Sequence, residues 1–158
     1  MGPEAKLVKP RFARECRCFA VLLEGSIAGY GWLSTGPEWI GELQLEIKPR
    51  KAEGYIWNCV TLGEHRRKGI FRSLLAGICD AARNTALKRL WIGSVAIPAE
   101  KALAPLGFRP AVSVRAFTFA RVHYRTVTFV DSVLGREGLH VLSVGPGVYV
   151  GSSTRRSH

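Results

Sequence analysis

The residues most able to do chemistry lie in one short segment, Thr61-Leu62-Gly63-Glu64-His65-Arg66-Arg67-Lys68-Gly69-Ile70-Phe71-Arg72-Ser73. Three consecutive cations stand just before a stretch with helical periodicity. A helix N-terminus already carries about half a positive charge, so each cation placed there costs a few tenths of a kcal/mol, up to about 1. The conflict disappears if the segment holds an anion, because free backbone N–H groups at a helix start are good anion donors. A basic helix cap with no ligand leaves the conflict unexplained. A Walker loop needs G-x-x-x-x-G-K-[ST] and a dinucleotide fingerprint needs G-x-G-x-x-G, and the segment contains neither.

The elements that must position this segment can be read from periodicity. Residues 55–62 are rich in aromatic and β-branched side chains and predict a strand leading in. Ile70, Phe71, Leu74, Leu75 and Ile78 form one apolar stripe and predict a helix from about Gly69 to Arg83. Residues 90–97 form an apolar run expected of a strand buried on both faces. Residues 98–106 predict a short helix, with Gly107 as its stop. Upstream, residues 19–23 and 27–34 predict a hairpin turning at Gly25-Ser26, and residues 42–48 alternate as a strand. Downstream, residues 111–119, 125–130, 140–144 and 147–150 read as strands. The order predicts an α/β fold: a mixed sheet with helices packed on it, in a single domain over 1–151. The polar tail 152–158 is expected to be mobile. Strand 55–62, helix 69–83 and strand 90–97 would form a right-handed crossover, with the basic loop at the carboxyl end of a strand.

Composition bounds the function. At 158 residues and 47% hydrophobic content the chain suits one domain with a proper core. The apolar runs are too short for a membrane-spanning helix and no export signal is visible, so a soluble cytoplasmic protein is expected. The net charge of +11 is uneven: residues 1–54 carry eight basic and seven acidic side chains, residues 55–108 eight and three, residues 109–158 seven and two. That field suits an anionic partner, such as a phosphorylated cofactor. The four cysteines, Cys16, Cys18, Cys59 and Cys79, lack the further ligands of a metal site, and buried or edge thiols are expected.

Arg66-Arg67-Lys68-Gly69-Ile70-Phe71 fits the pattern [QR]-x-x-G-x-[GA] except at its last position. Together with Leu106-Gly107-Phe108 some 35 residues later, it resembles the signature of the GNAT superfamily, the acyl-CoA-dependent N-acyltransferases. The resemblance covers residues 19–130. It implies a GNAT-like fold whose central sheet is splayed at the cofactor cleft, with acetyl-CoA or another acyl-CoA as cofactor. It also implies transfer of an acyl group, acetyl above all, to a small-molecule or peptide amine by direct attack. Main-chain groups of Arg67, Lys68, Gly69, Ile70, Phe71, Arg72 and Ser73 would hold the pyrophosphate. Arg66, Arg67, Lys68 or Arg72 could reach its phosphates. Cys59, Val60 and Thr61 would line the pantetheine arm, with Cys59 as wall. No metal is implied.

The chain departs from the family in several places. Phe71 stands where a small residue is usual. Ala96-Ile97-Pro98-Ala99 occupies the region of a frequent asparagine, and Leu103 that of a frequent tyrosine acid. Tyr124 and His123 are candidate proton donors by type, and Glu53 is the candidate general base. The N-terminal helical part is short, so either the acceptor groove is open or a partner subunit, as in a homodimer, completes it. Two other functions compete. One is a non-catalytic CoA-binding or regulatory domain. The other is nucleic-acid binding by Arg115, Phe117, Phe119, Arg121, Tyr124 and Arg125, whose alternation is also plain strand periodicity.

Overall fold

A computed structural model describes residues 5–94, 101–119 and 122–152. The chain folds as two compact units, one of residues 1–37 and 49–109, the other of residues 38–48 and 110–158.

The first unit opens with helix α1 (Ala5–Ala13) and then builds a mixed sheet from β1 (Arg17–Leu23), β2 (Ser26–Ser34), β5 (Glu53–Thr61) and β6 (Arg89–Ile92), in the order β1-β2-β5-β6. Strands β1, β2 and β5 are antiparallel neighbours, while β6 runs parallel to β5. Helix α2 (Ile70–Arg83) connects that parallel pair, as a parallel pairing requires. The hairpin turn falls at Glu24 and Gly25, one residue earlier than expected, with φ of 52° and 80°. Both central residues therefore adopt the left-handed conformation that matches the twist of the flanking strands.

Two clusters cover the faces of this sheet. On one, Leu74, Leu75 and Ile78 of α2 bury against Leu33, Ile56 and Leu103, with Phe71, Leu106 and Phe108 packed alongside. Each such aliphatic side chain contributes about 1.5–3 kcal/mol on burial. On the other, Cys16, Tyr30 and Trp32 are joined by Val8, Cys18, Trp57 and Val60. Arg11 of α1 is buried there, its guanidinium 5.0 Å from the Trp32 ring centroid and 4.5 Å from that of Trp57. Past β6, residues 101–103 are helical and Ala104–Leu106 is a 3-10 turn that ends at Gly107, φ 87°. The strand expected over 90–97 ends at Ile92, with Gly93 and Ser94 outside it, and residues 95–100 of that strand and of the helix expected over 98–106 lie outside the described residues.

The second unit holds β3 (Glu38–Ile40) paired with β4 (Leu45–Ile47), and a three-stranded antiparallel sheet of β7 (Val112–Phe119), β8 (Val122–Phe129) and β9 (Gly147–Ser152). Of the strand expected over 42–48, Leu45–Ile47 forms as β4, while residues 41–44 turn back to β3. Helix α3 (Ser132–Val141) takes most of the ground between β8 and β9, so the strand expected at 140–144 is not formed. Asp131 caps α3, its Oδ1 accepting from the N–H groups of Val133 and Leu134 at 2.8 Å each. The tail from residue 153 lies outside the described residues.

Candidate functional site

The anion cradle is built by the backbone between β5 and α2. A 3-10 turn (Gly63–His65) leads in, Arg67 enters the left-handed region at φ 62°, and Gly69 caps α2 at φ 77°. Only glycine takes that last conformation without strain. A Cβ at Gly69 would meet nothing within 4 Å, so the position opens outward. His65 and Arg66 spend their N–H groups on the carbonyls of Leu62 and Gly63. The first N–H turned back into the helix is that of Ser73, which donates to Gly69 O at 3.0 Å. Between them, among the described residues, residues 66–69 form a turn, the N–H groups of residues 67–72 make no main-chain hydrogen bond of good geometry, and no side chain caps the helix. The expected run of donors ended at Ser73, whose N–H is therefore used and whose exposed hydroxyl remains.

Charge follows the same geometry. Arg66, Arg67, Lys68 and Arg72 are exposed, no acidic residue lies in the first turn of α2, and none of the four joins an ion pair among the described residues. The turn therefore concentrates donors, the positive helix end and unpaired cations, which fit the pyrophosphate of acyl-CoA. Phe71, the departure from the family pattern, packs into the core and leaves the main-chain donors clear. Leu103, where the family often has a tyrosine, is a core residue.

Two glycines of β2 hold this turn against the sheet. A Cβ on Gly29 would lie 2.8 Å from Ile70 Cγ2 and 2.8 Å from Val60 O, and one on Gly31 would lie 2.8 Å from Cys59 Sγ and 3.2 Å from Leu74 Cδ2. Bare backbone at both positions lets the start of α2 seat on β2 and β5. Sequence reading missed these residues, although glycine inside a strand pattern signals close approach.

Strand β5 is irregular where it nears the turn. Trp32 pairs with Trp57 and Tyr30 with Val60, so Gly31 faces an extra residue, and Asn58 takes φ 46°. Such a bulge bends the strand and increases its twist. Ladder pairing of β5 with β6 ends at Ile56 and Ile92, while β5 continues to Thr61. Among the described residues, Trp57, Val60 and Thr61 have a ladder partner on the β2 side, and none of residues 57–61 has one on the β6 side. Cys59, Val60 and Thr61 lie on that unmatched stretch. Burial pushes the Cys59 thiol up to about 12, so it stays protonated near neutrality and is a poor nucleophile.

The two residues expected to move protons are placed differently. Glu53 begins β5, the end away from the basic turn, and is buried. Its Oε1 takes Arg89 Nη1 at 3.1 Å, and its Oε2 takes Trp91 Nε1 at 3.0 Å and the Arg50 N–H at 3.2 Å. At about 3.3 Å per residue the length of β5 separates it from the turn. The carboxylate is thus an anchor for β6, not a free base. Tyr124 belongs to the second unit, where its ring stacks on Phe117 at 4.9 Å between centroids. Among the described residues no group of three or more His, Cys, Asp and Glu side chains could hold a metal, and no helix is long and apolar enough to cross a membrane.

The family model described as "Acetyltransferase (GNAT) family" matches residues 3–108. No curated protein matches the sequence. Among solved structures, a Trypanosoma brucei acetyltransferase is 18% identical with a TM-score of 0.52, over 73% of this chain and 75% of its own. The ribosomal-protein-S18-alanine N-acetyltransferase of Escherichia coli is 18% identical with a TM-score of 0.53, over 70% of this chain and 63% of its own. Glucosamine-6-phosphate N-acetyltransferase of Arabidopsis thaliana is 11% identical with a TM-score of 0.50, over 74% and 76%. These likenesses concern the fold, and the family match extends from α1 through Leu106-Gly107-Phe108. The chain belongs to the GNAT acetyltransferase family.

Proposed function

We propose that the protein is an N-acetyltransferase that moves the acetyl group of acetyl-CoA to an amine. The observation that carries this reading is the run of N–H groups at residues 67–72, at the start of α2, that make no main-chain hydrogen bond of good geometry among the described residues, together with the exposed cations Arg66, Arg67, Lys68 and Arg72. The pyrophosphate of acetyl-CoA suits that cradle, and the main-chain edge of residues 57–61 suits the amides of the pantetheine arm. The acceptor nitrogen then attacks the thioester carbonyl carbon, a C–N bond forms, the C–S bond breaks, and the amine's proton is lost while the CoA thiolate gains one. Catalysis rests on positioning. Glu53 is held by its three donors and Cys59 stays a neutral thiol, so neither is given a chemical step.

The test is calorimetric titration with acetyl-CoA followed by thiol release across a panel of amines. Binding with amine-dependent release is expected. Failure to bind at millimolar concentration would sink the reading, and binding without release would leave a CoA-binding domain in its place.

A further inference from the structure

The three-stranded sheet of the second unit has one covered face and one bare one. Register fixes the two sets, because residues directly opposite in an antiparallel ladder share a face and successive residues alternate. His123 and Val127 belong to the covered face and are buried. Phe129 belongs to it too, and a Cβ at Gly135 of α3 would stand 2.6 Å from its ring. On the opposite face Phe117 pairs with Tyr124, and Tyr124 with Val150. Arg115, Thr126 and Val148 form the row on one side of this line, and Phe119, Val122 and Ser152 the row on the other. A solvated sheet face is normally polar. This one leaves Phe117 63% exposed, Phe119 72%, Val148 71% and Val150 64%. The Phe117 and Tyr124 rings stack on it, 4.9 Å between centroids. Such side chains offer roughly 500–600 Å² of bare surface, the upper end of what a monomer usually leaves open. Two such patches face to face would bury roughly 1,000–1,200 Å², enough for a specific interface of modest strength.

Charge and symmetry select the occupant. Strands β7, β8 and β9 contain no Asp or Glu, and among the described residues Arg115 is the one cation on this face. A nucleic-acid strand would ask for a track of cations along its phosphates, and Val148 and Val150 give bases no ring to stack on. A second copy of the chain satisfies the face. A two-fold axis along the row of Phe117, Tyr124 and Val150 lays that row on itself and exchanges the outer rows. Arg115 then comes over Phe119 of the partner subunit, and the symmetry repeats the contact. A guanidinium over an aromatic ring is attractive, and more so when water is excluded. The two Arg115 side chains stay at opposite ends of the contact, about 13 Å apart along the strands.

We propose that two copies of the chain pair through this face, with the row Phe117, Tyr124 and Val150 packing on itself and Arg115 reaching Phe119 of the partner subunit. The pairing is independent of the acetyl-CoA reading, since every residue in it belongs to the second unit.

The test is sedimentation equilibrium of the full chain, without acetyl-CoA, from about 1 to 200 µM. A reversible equilibrium of monomer and dimer is expected. Phe117→Glu sets like charges face to face at the centre and should leave only monomer. Its circular-dichroism spectrum should be unchanged, because the side chain is exposed. Arg115→Ala should weaken pairing about tenfold, through loss of two cation–π contacts. In NMR of mixed labelled and unlabelled copies, intermolecular Overhauser contacts should join Arg115 to Phe119. Should the Phe117 variant fail to fold, those contacts in the unmodified chain decide alone. A chain that stays monomeric over the whole range, a dimer that survives Phe117→Glu, or a dimer without those contacts would overturn the proposal. Salt-sensitive binding of single-stranded oligonucleotides that Phe119→Glu abolishes would assign the face to nucleic acid and overturn it as well.

Discussion

Glu53 Oε1 stands 3.1 Å from Arg89 Nη1, and the same two residues face each other directly in the parallel ladder of β5 and β6. This contact clamps the end of the ladder where the two strands are joined. Their pairing ceases at Ile56 and Ile92, on the way to the basic turn.

Glu53→Ala should therefore cost stability rather than chemistry. It removes the carboxylate that accepts from Trp91 Nε1 and the Arg50 N–H and that pairs with the partly exposed Arg89. The loss should be about 2–4 kcal/mol, discounted for the solvent around Arg89. Urea unfolding measures it. Acyl transfer by the folded fraction should remain near wild type, and a fall of a hundredfold or so in kcat with the fold intact would restore Glu53 as a base.

Gly69 separates ligand binding from folding. Gly69→Glu places a side chain in open space, so its cost to the fold is the strain of φ 77°, about 1–2 kcal/mol. Its carboxylate stands among the free N–H groups and should abolish acetyl-CoA binding in calorimetry. Gly69→Ala carries the same strain without the charge and should bind more weakly than wild type but measurably.

The seat under α2 predicts a coupled pair. Gly31→Ala drives a Cβ to 2.8 Å from Cys59 Sγ, an overpacking that should cost about 1–3 kcal/mol. Cys59→Ala removes the obstructing sulfur, so the double variant should recover part of the loss. A double-mutant cycle by chemical denaturation should show coupling beyond about 0.5 kcal/mol. Gly29→Ala meets the main-chain carbonyl of Val60, which cannot swing aside, and should be the more damaging.

Alkaline stability should report Cys59. Below its ordinary value of 9.0 the thiol is neutral in both folded and unfolded chains, so it adds no pH dependence. Between 9.0 and about 12 the unfolded chain ionises while the folded one does not, and stability falls as pH rises. The slope is about 1.4 kcal/mol per pH unit. Cys59→Ala should flatten that part of the curve relative to wild type in urea melts taken across the alkaline range.

Local patterns in the sequence determined a good deal of this protein. The stripe Ile70, Phe71, Leu74, Leu75 and Ile78 names the buried face of α2, and the cations beside Gly69 mark an anion site at its start. Both are legible because they depend on the 3.6-residue period and on the charge of a helix end. Helix α3 was less legible, since Gly135 and Gly138 lower helix propensity. In the fold a Cβ at Gly135 would lie 2.6 Å from Phe129 Cδ1, so that glycine answers to packing. Tertiary structure alone decided the rest. Two of the three donors around Glu53, Arg89 and Trp91, lie more than thirty residues away, and they turned a candidate base into an anchor. Likewise Gly29 and Gly31 gain meaning only from the helix that lands on them. Burial, partners and close approach are set by residues distant in sequence, and no local period records which of them will meet.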